Sequence, residues 1–149
     1  MIGTQLAKFL TKEHIQDDAY YRISIDDIKS ILKPGDVVLV EGQSRVSSAI
    51  QFITNSNWSH AAVFIGKTDF FNHCLIEVKA VDGCTYTDIN TYMHHNLRIC
   101  RPIFLNKRKK KILIDHLIKK IGSKYDLKNI IDLVRYLYPN PPVPKKFRR

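Results

Sequence analysis

The sequence predicts a single α+β domain built on a small, mostly antiparallel sheet. Its 149 residues are about the length of one ordinary domain, and a hydrophobic content of 44% supplies a core and excludes disorder over the whole chain. The apolar runs, such as residues 37–40 and 61–65, are short and bounded by turn residues, which is typical of strands. None approaches the roughly 20 residues of a membrane-spanning helix. Apolar residues spaced three and four apart elsewhere indicate helices that cover the sheet.

Five extended segments are predicted to form the sheet. Each is rich in β-branched or aromatic residues and is bounded by Gly, Pro, Asn or Asp. They cover residues 37–40, 60–65, 73–80, 84–86 and 97–101. The second and third are joined by a turn and should pair as a hairpin. If Val63 lies opposite Ile76, then His60 and Glu77 share one face of the sheet.

Helices are predicted from apolar spacing and from the residues that can cap them. Ser24, Ser44 and Asn106 are the expected N-caps, with the oxygen of each side chain accepting an unpaired amide. The predicted helices lie around residues 6–10, at 25–32, between 44 and 55, near 88–93, from 106 to 122 and at 127–138. Prolines at 139, 141, 142 and 144 prevent continuation of the last helix. We therefore predict a domain over residues 1–138 and a Pro-rich basic tail over 139–149.

The positive charge is concentrated at the C-terminal end. Residues 1–106 hold 10 Lys and Arg against 11 Asp and Glu, whereas residues 107–149 hold 14 against 3. This distribution indicates a local contact with an anionic partner, and we expect that partner to be a membrane surface. No reading surface of interleaved aromatic residues accompanies the cation clusters, so specific nucleic-acid recognition is not predicted. The clustered cations are Lys107, Arg108, Lys109, Lys110, Lys111, Lys145, Lys146, Arg148 and Arg149.

The cysteine pattern and the N-terminus both indicate a cytoplasmic protein. Cys74, Cys84 and Cys100 are odd in number and lack C-x-x-C spacing, so we expect free thiols. The N-terminus has neither the basic leader nor the apolar stretch of a signal peptide. We predict a cytoplasmic location with peripheral contact to a membrane. The sequence does not predict an oligomeric state.

Several motifs occur in an order that resembles a known enzyme family. They are Lys33-Pro34-Gly35-Asp36 before a strand, Trp58-Ser59-His60 entering the next, Ile76-Glu77, Asp82-Gly83, Arg101-Pro102 and Gly122-Ser123-Lys124-Tyr125-Asp126. In this order they resemble the circularly permuted papain-like amidases of the YiiX and YaeF type, within the NlpC-like cysteine peptidase superfamily. The resemblance implies a permuted papain-like fold and a hydrolase that forms an acyl-enzyme on an amide, ester or thioester. The implied substrates are peptides, amides or acyl-lipids, with no cofactor and no metal.

The resemblance also assigns roles to particular residues. It implies that His60 is the catalytic base, that Glu77 orients it, and that Trp58, Ser59 and Tyr125 line the substrate site. A cysteine nucleophile is expected after the Tyr125-Asp126 segment, yet no cysteine follows Cys100. We therefore expect a domain that is incomplete at its C-terminal end and a chain that is inactive as a thiol hydrolase. The alternative is a non-catalytic binding module that uses the cleft and the basic C-terminal region to bind anionic lipid or polymer.

Simpler explanations remain open for each residue. His60 is a structural histidine and Glu77 a solvent-facing carboxylate if the two strands pair in the other register. The three cysteines are more easily explained as core or strand residues than as nucleophiles. A metal site is not predicted, because no ligand pair has the spacing of a zinc site. The candidate ligands for such a site would be His73, Cys74, Cys84, His94, His95 and Cys100. Ser44, after Gly42-Gln43, is better explained as a helix cap than as a serine nucleophile.

Overall fold

The structure is a computed structural model that describes residues 23–124. In chain order its elements are α1 (Ile25–Ile31), β1 (Val37–Val40), α2 (Arg45–Thr54), β2 (His60–Gly66), β3 (Cys74–Lys79), β4 (Gly83–Asp88), a 3-10 helix (Ile89–Tyr92), β5 (Leu97–Cys100) and α3 (Lys107–Ile118). The strands form one antiparallel sheet in the order β4-β3-β2-β1-β5. The predicted α+β class is confirmed. The helices predicted around residues 6–10 and 127–138, the domain boundary at 138 and the Pro-rich tail lie outside the described residues.

The hairpin register is the one predicted from the sequence. Val63 lies opposite Ile76 and Ala62 opposite Glu77. The pairing shifts between Phe64 and Gly66, so Ile65 forms a bulge. Because side chains alternate along a strand, this register places His60 and Glu77 on the same face.

The two faces of the sheet carry separate cores. The histidine face, named for His60, buries Val38, Val40, Ala62, Phe64 and Leu75 against α1 and the 3-10 helix. On the opposite face, which we call the thiol face, Ile65, Cys74, Ile76 and Cys84 pack against Ile114, Leu117 and Ile121 from α3 and the turn after it. The sheet therefore separates two environments, and a side chain on one face does not reach the other.

The predicted caps are confirmed, whereas the predicted end of α3 is wrong. Ser24, Ser44 and Asn106 accept the amides of Asp26, Ser47 and Lys109, respectively. The helix predicted from residue 106 was expected to reach Gly122 but ends at Ile118. The reason lies at the sheet edge. The N–H of Gly122 donates to the carbonyl oxygen of Cys84 (2.8 Å), and the N–H of Cys84 donates to that of Ser123 (2.9 Å). The chain leaves the helix to pair with β4.

An ion pair between a buried carboxylate and an exposed guanidinium joins the residue before β1 to the residue after β5. Asp36, 2% exposed, precedes β1, and Arg101 follows β5. The Arg101 Nε and Nη2 atoms donate to the two Asp36 carboxylate oxygens at 2.8 and 2.7 Å. Nη2 also donates to the carbonyl oxygen of Ile31 at the end of α1. Burial alone would raise the pKa of Asp36, but the Arg101 guanidinium and the Lys33 amide hold it below its usual range. The ion pair thus brings together two of the sequence motifs, Lys33-Pro34-Gly35-Asp36 and Arg101-Pro102.

Candidate active site

A groove on the histidine face contains the predicted dyad. It has a volume of about 330 Å³ and runs between the strand ends and α2. Among its lining residues are Val46, Ile50, Ser59, His60, Glu77 and Lys79. Apolar side chains from α2 form one wall, and the polar groups come from β2 and β3. This arrangement of an apolar wall with a few convergent polar groups is typical of ligand sites.

His60 and Glu77 form a hydrogen-bonded pair in this groove. His60 Nε2 lies 2.5 Å from Glu77 Oε2. The Glu77 side chain has no exposed surface, whereas the His60 side chain is 28% exposed. An ionised carboxylate only accepts hydrogen bonds, so the His60 Nε2–H donates. This tautomer leaves the lone pair of the neutral ring on Nδ1, and the ring lines the groove.

Two further side chains hold Glu77 in its charged form. The Tyr92 hydroxyl donates to the same oxygen, Oε2, that accepts from His60. The Lys79 Nζ atom lies 3.1 Å from Oε1. That contact is electrostatic, because Oε1 receives no hydrogen bond of good geometry from residues 23–124. Burial would raise the pKa of Glu77, but its polar neighbours, His60 first and then Thr87 and Tyr92, lower it to about 2.

Lys79 and Tyr92 were not identified from the sequence. Lys79 carried a usable signal, since it is two residues beyond Glu77 on the same strand and therefore shares its face. Tyr92 carried none, because its position depends on the 3-10 helix folding back over the sheet. That helix is capped by Asp88 and anchored by a hydrogen bond from the Ile89 N–H to the carbonyl oxygen of His73.

Of the three predicted substrate residues, the structure describes two, and these line different cavities. Ser59 lines the groove, and its hydroxyl accepts the N–H of Gly42 at 3.1 Å, which holds the loop between β1 and α2. Trp58 instead lines a second cavity of about 320 Å³, to which Tyr92 also contributes. Tyr125 lies outside the described residues. Substrate contact by any of the three stays a prediction.

None of the three cysteines shares a face with His60. Cys74 and Cys84 are buried in the core of the thiol face. Cys100 lies opposite Val37, which lies opposite Val63. Residues directly opposite each other in a sheet share a face, so Cys100 also lies on the thiol face. Burial raises the pKa of the Cys74 thiol and of the Cys84 thiol. His60 therefore cannot deprotonate a thiol of the described chain without crossing the sheet.

The comparison with protein families agrees with this geometry. A family model described as "Permuted papain-like amidase enzyme, YaeF/YiiX, C92 family" matches residues 31–136. The chain belongs to this family. The match spans β1, the dyad, the Asp36–Arg101 pair and α3, and it confirms the resemblance inferred from the ordered motifs. No curated protein matches the chain.

The α+β fold is consistent with the permuted papain-like amidases. In this chain, β2 and β3 place a histidine and a buried carboxylate side by side at a groove. Within residues 23–124, no three His, Cys, Asp or Glu side chains are grouped so that they could hold a metal ion. In the same part of the chain, no helix has the length and apolar character needed to cross a membrane.

Proposed function

We propose that this member of the permuted papain-like amidases carries the proton-transfer half of a cysteine hydrolase site. His60 is the general base and acid, and Glu77 orients it. The observation that carries the proposal is the 2.5 Å contact between His60 Nε2 and a Glu77 carboxylate with no exposed surface. A buried carboxylate that is kept charged beside an accessible imidazole is the arrangement expected of a base and its orienter.

We propose that one nitrogen of His60 carries out the proton transfers. Nδ1 of His60 takes the proton of a thiol, and the thiolate attacks the acyl carbon of an amide, ester or thioester. The imidazolium then returns that proton to the leaving group, and an acyl-enzyme remains. Water, deprotonated by the same nitrogen, releases the acid and regenerates the thiol. Throughout, Glu77 accepts the Nε2–H bond and stabilises the imidazolium. General acid–base catalysis of this kind typically contributes about 10²- to 10⁴-fold in rate.

The nucleophile is not one of the three cysteines of this sequence. Cys74, Cys84 and Cys100 lie across the sheet from His60, and the sequence holds no cysteine after Cys100. We therefore expect the 149-residue chain to lack thiol-dependent activity. A thiol placed beside the His60 groove from another segment would complete the site.

Two assays test the proposal. The chain and its Cys74→Ser/Cys84→Ser/Cys100→Ser variant are compared on a panel of peptide amides, esters and acyl thioesters. Neither should turn over any substrate. A Cys-Ser segment from an active family member, fused after Arg149, should then create activity that iodoacetamide abolishes. His60→Ala in the fusion should remove this activity, and Glu77→Gln should reduce it. Turnover by the unfused chain that disappears in the triple serine variant would show that the nucleophile is misplaced.

The second candidate function is a non-catalytic binding module. The observation that favours it is the location of every thiol on the face opposite the groove. Such a module would bind a peptide or acyl chain along the apolar wall from α2. NMR titration with the same substrates distinguishes the two. Shifts at His60 and Ile50 in the unfused chain, together with a fusion that remains inactive, would favour the binding module.

A further inference from the structure

We propose that the loop after β5 and the start of α3 form a docking surface for an anionic lipid bilayer. This surface, residues 102–112, combines an exposed apolar loop with a run of cations. Ile103 and Phe104 are each 84% exposed, and they lie side by side just before the N-cap Asn106. Two large apolar side chains held together in water on a short loop have the form of an insertion wedge.

The cations beside the wedge are directed outwards. Of the five consecutive cations that begin α3, Lys107, Arg108, Lys109 and Lys111 are exposed. Lys110 is half-buried, with its aliphatic stem beside Gly35. The first turn of the helix contains no acidic residue. The ion pairs found within residues 23–124 include none of the four exposed cations.

This charge arrangement calls for an anionic partner. Cations at a helix N-terminus oppose the helix dipole, so the folded chain places five positive charges where they repel the helix end. An anionic surface relieves that repulsion, and each cation near such a surface strengthens binding roughly fivefold.

A bilayer can contact both the cations and the apolar pair of this surface, whereas a polyanion contacts only the cations. Nucleic acid or polyphosphate would contact the cations but would leave Ile103 in water. In a bilayer, Ile103 and Phe104 enter the acyl boundary while the cations remain at the headgroups. The combination of an apolar wedge with four outward cations therefore favours the lipid surface.

The docking surface lies at the end of the sheet remote from the groove. The loop follows Cys100, which pairs with Val37 at the start of β1, whereas His60 pairs with Val40 at its end. Three residue steps along β1 separate these positions by about 10 Å. Docking therefore leaves the groove open, and the inference stands or falls independently of the proposed chemistry.

Co-sedimentation of the full 149-residue chain with vesicles tests the inference. The chain should bind phosphatidylcholine vesicles that contain phosphatidylserine and should not bind phosphatidylcholine alone, with weaker binding as salt rises. Ile103→Ser/Phe104→Ser should lower the partition coefficient at least tenfold, because each side chain loses its buried apolar area. Phe52→Ser is the matched control, since Phe52 is 79% exposed on α2 and lies outside the surface.

A variant that lacks the exposed cations distinguishes the contribution of charge to binding from that of apolar insertion. Replacing Lys107, Arg108, Lys109 and Lys111 with Gln should abolish the preference for phosphatidylserine, whereas Lys119→Gln/Lys120→Gln just beyond α3 should have a much smaller effect. Three results would overturn the inference. One is a wedge variant that binds as well as the parent. Another is tighter binding to polyphosphate or RNA that the wedge variant retains. The third is a change in oligomeric state caused by the wedge variant alone in size-exclusion chromatography, which would mark a contact between copies of the chain.

Discussion

Glu77 combines two properties that rarely occur together, since its side chain has no exposed surface and yet its pKa is lowered to about 2. Burial removes water from a carboxylate and favours its neutral form. Here the loss is offset by donors aimed at one oxygen, from His60 and Tyr92, and by the Lys79 ammonium beside the other. The carboxylate that contacts the imidazole is therefore itself held by side chains from β3 and the 3-10 helix.

Removing the Tyr92 hydroxyl should weaken the fold and raise the pKa of Glu77. Tyr92→Phe keeps the ring and deletes a hydrogen bond to a charged acceptor, which is worth about 1.5–3 kcal/mol. Urea unfolding at neutral pH measures the loss, and the ¹³C carboxyl shift of Glu77 measures the pKa. Tyr86→Phe is the control, because the half-exposed Tyr86 ring stacks with Phe70 on the other face. An equal loss of stability in both variants would contradict a specific role for the Tyr92 hydroxyl.

Acid should remove stability that depends on Glu77. Its folded pKa of about 2 lies below its ordinary value of 4.5, so the stabilisation is complete above pH 4.5 and is lost as the pH falls towards 2. Over that window the parent should lose on the order of 3 kcal/mol more than Glu77→Gln, which keeps the shape and an acceptor. Asp36 also has a lowered pKa, but it contributes to both proteins. Asp82→Asn, at an exposed carboxylate, serves as the control and should follow the parent. Parallel pH curves for the parent and Glu77→Gln would refute the assignment.

At the scale of elements, the pairing of residues 122–123 with β4 depends on one glycine. Gly83 has φ of +72°, and a Cβ built there would overlap the Ser123 carbonyl oxygen. Gly122 has a similar φ of +83° but open space around it. Gly122→Ala should cost only the strain of a positive φ, about 1–2 kcal/mol.

Gly83→Ala should cost more, because it also displaces Ser123 from the Cys84 amide. The additional loss is about 1 kcal/mol for the hydrogen bond, measured by urea unfolding. Hydrogen exchange at the Cys84 amide should speed up in Gly83→Ala and much less in Gly122→Ala. Equal costs for the two variants, with unchanged exchange, would show that the contact does not bear on stability.

The strand pattern was predictable for the same reason that the sheet has two cores. In β1 and β2, successive side chains point alternately into the two cores on either side of the sheet. A shift of the strand pairing by one residue would therefore move Glu77 into the core of the thiol face. Local signals sufficed for these strands and for the caps at Ser44 and Asn106. They failed at the end of α3, since the backbone groups of residues 122–123 are used by a strand distant in sequence.

Of the site residues, only those on strands could be predicted, because the alternation of side chains along a strand gives the face on which each one lies. His60 and Glu77 followed from the register together with the resemblance. Tyr92 did not, because it enters the site through a tertiary turn that has no periodic pattern. The pairing of Asp36 with Arg101 was likewise missed. Both motifs were noted, but 65 residues separate them and no local rule joins them.

At the scale of the whole molecule, the sheet should protect two thiols and leave one reactive. Cys74 and Cys84 are buried with raised pKa values, whereas Cys100 is half-buried. Iodoacetamide should label Cys100 in the folded chain and all three in urea, as read by mass spectrometry. Cys100→Ser should abolish labelling under native conditions. Labelling of Cys74 or Cys84 at similar rates in both conditions would contradict the two-core arrangement.

The pairing of residues 122–123 with Cys84 has a consequence for how copies of the chain meet. In the described order, β4 and β5 are the outer strands, and an unpaired outer strand is a template for strand addition by another molecule. At β4, the Cys84 amide and carbonyl are already occupied by residues of the same chain. At β5, only four residues are extended, they include the exposed Arg98, and Pro102 follows closely. Intermolecular β-pairing is thus opposed at both described margins, at Cys84 by the chain's own backbone and at β5 by brevity, charge and proline.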